Sequence, residues 1–184
     1  MFTKSSKPWE TFFYLASDKE WFFAGGWKEW VDETQNKVFN ARDIEKVKTR
    51  NERNHYFHEW KAAVELFRKY KLLSLVGQYS ATGAAHRNKR EIVRQRVSND
   101  VWNAIERPVL DAGRKAGLPD LFVYSEDNEN EWFFAEVKGQ NVSPTGVLKD
   151  DQISDEQVAK SKLLDEVAAK CVTRLIEVKI GKPR

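Results

Sequence analysis

One stretch constrains the fold more than any other: Gly117–Gly139, reading GLPDLFVYSEDNENEWFFAEVKG. Leu121–Ser125 and Glu131–Lys138 are rich in aromatic and β-branched residues, the types that suit a packed, pleated surface. Between them, Glu126–Asn130 contains only Glu, Asp and Asn, so it reads as a turn and the whole as a β-hairpin. Leu121 and Val123 fall on one face of the first strand, Phe122 and Tyr124 on the other. Apolar residues on both faces place the hairpin inside a sheet covered from both sides.

The register carries the chemistry. With the turn centred on Asn128, Asp120 lies opposite Glu136, and Cβ atoms of directly paired residues stand roughly 4.5–5.5 Å apart. Lys138, two residues beyond Glu136, points to the same face. A slip of one residue would send the carboxylates to opposite faces. Two carboxylates held so close repel one another unless a cation lies between them. Mg²⁺ (or Mn²⁺) accepts one or two carboxylates and keeps several waters, and the lysine is placed to orient an attacking water. Pro119 stiffens the backbone just before Asp120 and keeps Leu118 extended.

The flanking chain supplies helices and the rest of a sheet. Thr11–Leu15 and Glu20–Ala24 read as strands of a small N-terminal hairpin, broken by Gly25-Gly26. Trp9, Trp21, Trp27 and Trp30 crowd into the same region and are read as cover for a core edge, with base stacking or a dimer surface as the alternative. Glu20–Ala24 repeats Glu131–Ala135 letter for letter, but nothing around it repeats, so no duplication is inferred. Residues 41–53 read as a solvated charged helix or connector. Residues 54–73 read as an amphipathic helix burying Phe57, Trp60, Val64 and Phe67. His55 and His58, three apart, lack the further ligands a zinc site needs. Leu73–Ser80 reads as a strand and Ala81–Ala85 as a loop.

A basic segment follows. Arg87, Lys89, Arg90, Arg94 and Arg96 sit on a helix whose buried stripe is Val93, Val97, Val101 and Ile105. The arginines suit phosphate contacts on DNA, and equally an ordinary exposed face. Pro108 ends this helix or starts a short next one, and Gly113 and Gly117 lead to the hairpin. Gln140–Gln152 reads as a polar loop. Ser154 begins a helix to about Lys170, with Ser154 and Gln157 placed as a capping box. Leu164, Val167, Ala168 and Cys171 form its buried stripe. Val172–Ile180 is the last strand. Its Glu177-Val178-Lys179 copies the Glu-Val-Lys of the hairpin without a Pro-Asp strand before it.

With 184 residues the chain suits one domain with a sizeable core, and 41% hydrophobic against 32% charged residues places it among globular rather than disordered chains. No apolar run reaches membrane-spanning length and no secretory leader pattern is present. The lone Cys171 excludes an internal disulfide and argues against a cysteine-based zinc site, which fits a reducing, cytoplasmic setting. A net charge of +3 does not by itself indicate nucleic-acid binding.

Pro119-Asp120 followed by Glu136-Val137-Lys138 resembles the PD-(D/E)xK nuclease motif. The wider text, Gly117–Leu121 and Phe134–Gly139 with Ser154-Asp155-Glu156-Gln157 downstream, is similar to the VRR-NUC domains of that superfamily. The likeness covers residues 117–180. It implies an α/β, restriction-endonuclease-like mixed sheet flanked by helices, formed by residues 51–184 with residues 1–50 as an aromatic extension. It implies a Mg²⁺- or Mn²⁺-dependent deoxyribonuclease leaving 5′-phosphate and 3′-hydroxyl ends. Asp120 and Glu136 are then the ligands together with the Val137 carbonyl, Lys138 is the water-positioning residue, and Gln157 is an active-site contact. Members of the family also take an acid from an upstream helix, for which Glu59, Glu65, Glu91 and Glu106 all qualify. The resemblance further implies a homodimer acting on branched DNA in replication, repair or recombination, in the host cytoplasm if phage-encoded. The alternatives are an inactive DNA-binding module, a restriction-type enzyme on duplex DNA, and an unrelated α/β protein whose aromatic N-terminus binds another protein.

Overall fold

A computed structural model describes residues 2–35, 37–48, 50–77, 79, 84–106, 110–111, 114–115, 118–143 and 145–181. The elements run in the order β1 (Glu10–Tyr14), α1 (Ala16–Trp21), a π-helical turn (Phe22–Gly26), α2 (Trp27–Glu33), α3 (Ala41–Val47), α4 (Arg50–Tyr70) and β2 (Leu73–Val76). After a short 3₁₀ turn come α5 (Arg87–Arg96), α6 (Asn99–Glu106), a two-stranded ribbon of β3 (Leu110–Asp111) and β4 (Arg114–Lys115), β5 (Leu121–Tyr124), β6 (Trp132–Val142), β7 (Leu148–Asp150), α7 (Asp155–Val167) and β8 (Thr173–Ile180). Among the described residues no helix is long and apolar enough to cross a membrane.

The architecture is mixed α/β. A six-stranded mixed sheet runs β1-β8-β6-β5-β2, with β7 added to the far end of β6. β1, β8 and β6 are parallel, whereas β5 is antiparallel to both β6 and β2. Helices cover both faces. On one face α4 packs so closely that a Cβ on Gly139 would enter the His58 ring. On the other, α7 reaches Glu136 and Lys138 through Gln157. Lys138 and Gly139 are adjacent in a strand, so the two helices lie on opposite sides. Phe57, Trp60, Val64, Leu121, Phe134 and Ile176 are among the side chains fully withdrawn from solvent between these layers.

The hairpin has the expected register: Leu121 pairs Ala135, Phe122 pairs Phe134 and Tyr124 pairs Trp132. Its turn closes through the Ser125 N–H on the Glu131 carbonyl at 2.9 Å. The long amphipathic helix and the last strand also stand where their periodicity places them.

Several expectations are corrected. Glu20–Ala24 is helical, not a strand: Phe22 is completely buried against Phe57, Trp30 and Trp60, while Glu20 and Ala24 face solvent. A single buried ring per turn is what a helix on a surface needs, and Gly25 at φ 111° turns the chain into α2. The basic helix is two helices, because Val97 takes extended dihedrals (φ −102°, ψ 154°) and Ser98 Oγ then accepts from the Val101 N–H at 3.3 Å. Its apolar stripe nonetheless stays buried. Residues 41–47 are helical but not simply solvated, since Asp43 is buried with Lys89. Gln140–Gln152 is largely a hairpin: β6 continues to Val142 and pairs β7, Val142 with Leu148. α7 stops at Val167, and Cys171 is exposed rather than core, its thiol turned to the Asp165 carboxylate and the Thr173 carbonyl. Of the four clustered tryptophans, Trp27 and Trp30 are core and Trp9 is 39% exposed. The expectations placed on Ser80–Gly83, Pro108, Gly113, Gly117, Pro144 and the side chain of His55 fall outside the described residues.

Candidate active site

Asp120 stands one residue ahead of β5, where that strand leaves β6. The ladder continues the register to put it opposite Glu136. Its position is held from three sides. The Gly77 N–H donates to the Asp120 carbonyl at 2.8 Å, the Tyr79 hydroxyl donates to the Pro119 carbonyl at 2.8 Å, and Asp120 Oδ2 accepts from the Val137 N–H at 2.8 Å. A carboxylate accepting a main-chain N–H from the strand that carries its partner acid is fixed in both place and orientation.

Glu136 is 1% exposed, and Lys138 Nζ lies 2.9 Å from its Oε1. Gln157 Nε2 donates to the same oxygen, and Gln157 Oε1 accepts from Lys138 at 3.0 Å. Gln157 is also the third residue of α7. Its Oε1 accepts the Ser154 N–H at 2.8 Å while its own N–H reaches Ser154 Oγ at 3.2 Å. The capping role and the site contact are therefore one arrangement: the cap fixes the side chain that bridges Glu136 and Lys138.

A third acid comes from α4. Glu59 Oε2 is shielded from solvent and has no hydrogen-bond partner among the described residues. Burial pushes its carboxyl well above the usual range, and the charges of Asp120, Asp151 and Glu136 add to the effect. The other upstream acids are engaged elsewhere: Glu65 with Lys61 and Arg68, Glu91 with Gln95, and Glu106 with Arg90. The sequence contained a partial signal. At helical spacings Glu59 meets His55, Tyr56, Ala62 and Ala63 and no Lys or Arg, whereas Glu65 and Glu91 have cations there. Asp151, not singled out in the sequence, is a fourth acid of the rim. Its N–H donates to the Gly139 carbonyl at 2.9 Å and its Oδ2 accepts the Gly139 N–H at 3.2 Å.

Burial also raises Glu136, to about 8, with the Asp120 charge adding and Lys138 opposing. Asp120 moves up for the same first reason, restrained by the Val137 N–H and Lys138. The two carboxyls act on each other: the Asp120 charge is the largest influence on Glu136 after burial. Carboxyls packed this closely form an electrostatically unfavourable grouping once both are ionised, which added positive charge relieves.

That grouping fits a hard divalent cation. The donors are carboxylate oxygens, and the orphaned Glu59 Oε2 is a buried acceptor without a donor. Among the described residues no three His, Cys, Asp or Glu side chains form a ready-made cage. Asp120 and Glu136 are thus the residues that would hold such an ion, with waters completing its shell. Burial, then the Lys19 charge, pushes the His58 imidazole down to about 4, and the ring packs on Tyr14 and Phe57.

The basic residues are only partly assembled. Arg87 and Arg94 are exposed on α5. Lys89 leaves the group: it is 2% exposed, bound to Asp43 Oδ1 at 2.6 Å and to the Val76 carbonyl at 2.7 Å, so it cannot reach DNA. Arg90 faces Glu106 at 3.7 Å and the Trp102 ring, and Arg96 lies 4.4 Å from the Tyr124 ring. The second Glu-Val-Lys is separate from the site acids in its bonding, Glu177 being held by Lys179 at 2.8 Å and by Thr11.

Compared with protein-family models, curated proteins and solved structures, the chain matches none.

Proposed function

We propose that the protein is a divalent-metal-dependent deoxyribonuclease with a restriction-endonuclease-like core of the VRR-NUC kind. The observation that carries the reading is the constellation itself. Asp120 is placed against Glu136, Lys138 and Gln157 are bonded to Glu136, and the unpartnered Glu59 joins from the facing helix. The order α4-β2-β5-β6-α7-β8, with a β5–β6 hairpin and β8 parallel to β6, supports the core assignment. So does the hard-oxygen donor set.

In this reading Asp120 and Glu136 would hold Mg²⁺ or Mn²⁺, with the Val137 carbonyl as a further ligand. When bound, the ion supplies positive charge to the scissile phosphate and lowers the pKa of water. The remaining work falls to the chain. Lys138 orients the attacking water and offsets charge developing on the phosphate. Gln157, hydrogen-bonded to both Glu136 and Lys138, fixes the two side chains against each other at the site. Glu59 accepts a proton or hydrogen bond from water on the α4 side. Attack of water at phosphorus breaks the P–O3′ bond and leaves a 5′-phosphate and a 3′-hydroxyl. The preferred substrate is branched DNA and the acting species a homodimer, in replication, repair or recombination.

The test is cleavage of a four-way junction, a flap, linear duplex and single-stranded DNA in Mg²⁺, Mn²⁺ or chelator. Asp120→Ala and Lys138→Ala are assayed in parallel. Metal-dependent cutting that both substitutions reduce at least about a hundredfold supports the reading. Tight, salt-sensitive binding without cutting, unchanged by either substitution, replaces it with a DNA-binding module.

A further inference from the structure

The C-terminal ends of the parallel strands β1, β8 and β6 form one rim, which carries more than the carboxylates. Above Gly139, β6 continues into the β6–β7 hairpin and β1 turns into α1. Between these two projections lies a cavity of about 210 Å³ lined by Tyr14, Lys19, Glu20, Phe23, Asn141 and Val142, among others. Its polar groups are spaced unlike a core. Lys19 Nζ donates to Asn141 Oδ1 at 2.7 Å and stands 5.8 Å from the centre of the Phe23 ring. The amine is half-buried, yet no carboxylate among the described residues pairs with it at ion-pair distance; it feels Asp151 and Glu59 only through space. The cavity therefore adjoins the acidic site: Asn141 is two residues from the Gly139 that Asp151 grips.

The hairpin beside it is built to stay in place and to present apolar side chains outward. Its base is tied by the paired Gly139–Asp151 hydrogen bonds, its middle by Gln140 Nε2 on Asp150 Oδ1 at 2.9 Å, and its tip by the Ser143 N–H on the Val147 carbonyl at 2.8 Å. Val142 and Leu148 are cross-strand partners, each 52% exposed, and Val147 is 58% exposed. Apolar side chains on a braced projection beside a phosphodiesterase site are suited to part base steps, as wedges of DNA-bending proteins do.

We infer that the cavity between α1 and the β6–β7 hairpin is a subsite for one unpaired nucleotide next to the scissile phosphate, its phosphate held by Lys19 and its base set against Phe23 and Val142. The inference rests on the nuclease reading and adds that the bound strand is parted at the hairpin. An ammonium, an amide, an aromatic ring and an aliphatic wall are the groups a single-stranded nucleotide uses. Glu20 at the mouth adds an acceptor for a base amino group.

The experiment measures binding in Ca²⁺ of a splayed fork and of a duplex of equal length. 2-Aminopurine placed one nucleotide inside the fork's single strand reports base stacking. Lys19→Met keeps the apolar stem, and Lys19→Arg keeps the charge. The expected result is that Lys19→Met weakens fork binding about tenfold and lowers its log–log salt slope by roughly 0.7–0.9, the contribution of one phosphate contact. It also abolishes the aminopurine change, leaves duplex binding as in wild type, and is rescued by Lys19→Arg. Replacing Val147 and Leu148 together by Ser abolishes the aminopurine change while Mg²⁺-dependent cleavage of single-stranded DNA persists. The inference is overturned alone if wild type cuts DNA but Lys19→Met shows wild-type fork affinity, salt slope and fluorescence. It is likewise overturned alone if the Ser variant merely dissociates a dimer. Wild type that binds neither fork nor duplex overturns it together with the nuclease reading.

Discussion

Replacing Glu136 by Gln in the absence of metal should stabilise the protein, and increasingly so as the pH rises. The fold raises the Glu136 carboxyl from 4.5 to about 8. A group raised in the folded state favours the fold fully below its unfolded pKa, and that contribution is lost as pH climbs toward the folded value. At about 1.4 kcal/mol per pH unit, ionising pressure on this side chain removes about 3 kcal/mol between pH 4.5 and pH 7. The carboxyl is 1% exposed, so solvent screening reduces this little, and the loss belongs jointly to Glu136 and Asp120, whose titrations are linked through the charge of each. For a chain of this length 3 kcal/mol corresponds to roughly 6–12 °C in Tm. Gln mimics the protonated acid: its carbonyl oxygen accepts from Lys138 and Gln157, and its amide donates to Asp120. Thermal unfolding in EDTA from pH 5 to pH 8 should show wild type losing Tm relative to Glu136→Gln, with the gap widening to about that size by pH 7. Millimolar Mg²⁺ should close the gap from the wild-type side. Two curves that stay parallel across this range, or a gap that narrows as pH rises, would refute the electrostatic account of the site.

Glu59→Gln should likewise raise the metal-free Tm, by up to a few degrees, because it removes a buried carboxyl pushed upward by Asp120, Asp151 and Glu136, while lowering Mg²⁺-dependent cleavage; calorimetry and a cleavage time course check the two halves separately. Gly139→Ala has no room for its methyl against the His58 ring, so denaturant unfolding should show a loss of about 1–3 kcal/mol. Lys89→Met should cost about 3–5 kcal/mol by stranding Asp43 in the interior, and pairing it with Asp43→Leu should recover most of that in the same urea titration.

Much of the site was legible because it depends on local rules. The register of Asp120 against Glu136 follows from a short polar turn and period-two alternation, and Gln157 from a capping box written in four residues. Glu59 was one of four candidates; its lack of helical cation neighbours sets it apart from Glu65, which Lys61 and Arg68 satisfy, but its place at the site comes from the packing of α4 across β6. Lys89 read as one cation among five on a basic helix. Its burial depends on Asp43, 46 residues earlier in the chain, and no local pattern announces that pairing. Asp151 read as one more polar loop residue, because the continuation of β6 beyond Lys138 rests on pairing with β7 rather than on an apolar pattern of its own.

The pentapeptide Glu-Trp-Phe-Phe-Ala divides what sequence determines from what tertiary structure decides. At Glu131–Ala135 it enters β6, with Phe133 and Phe134 buried on opposite faces between two helical layers. At Glu20–Ala24 the same five letters are helical, with Phe22 alone fully buried on α4. Alternation, turn chemistry and capping determined the hairpin, the long helix and the acids that face each other. Whether an aromatic run is strand or helix, which lysine is buried, and which upstream acid joins the site were decided by contacts far apart in the chain, since burial energy depends on what covers a side chain and not on its neighbours in sequence.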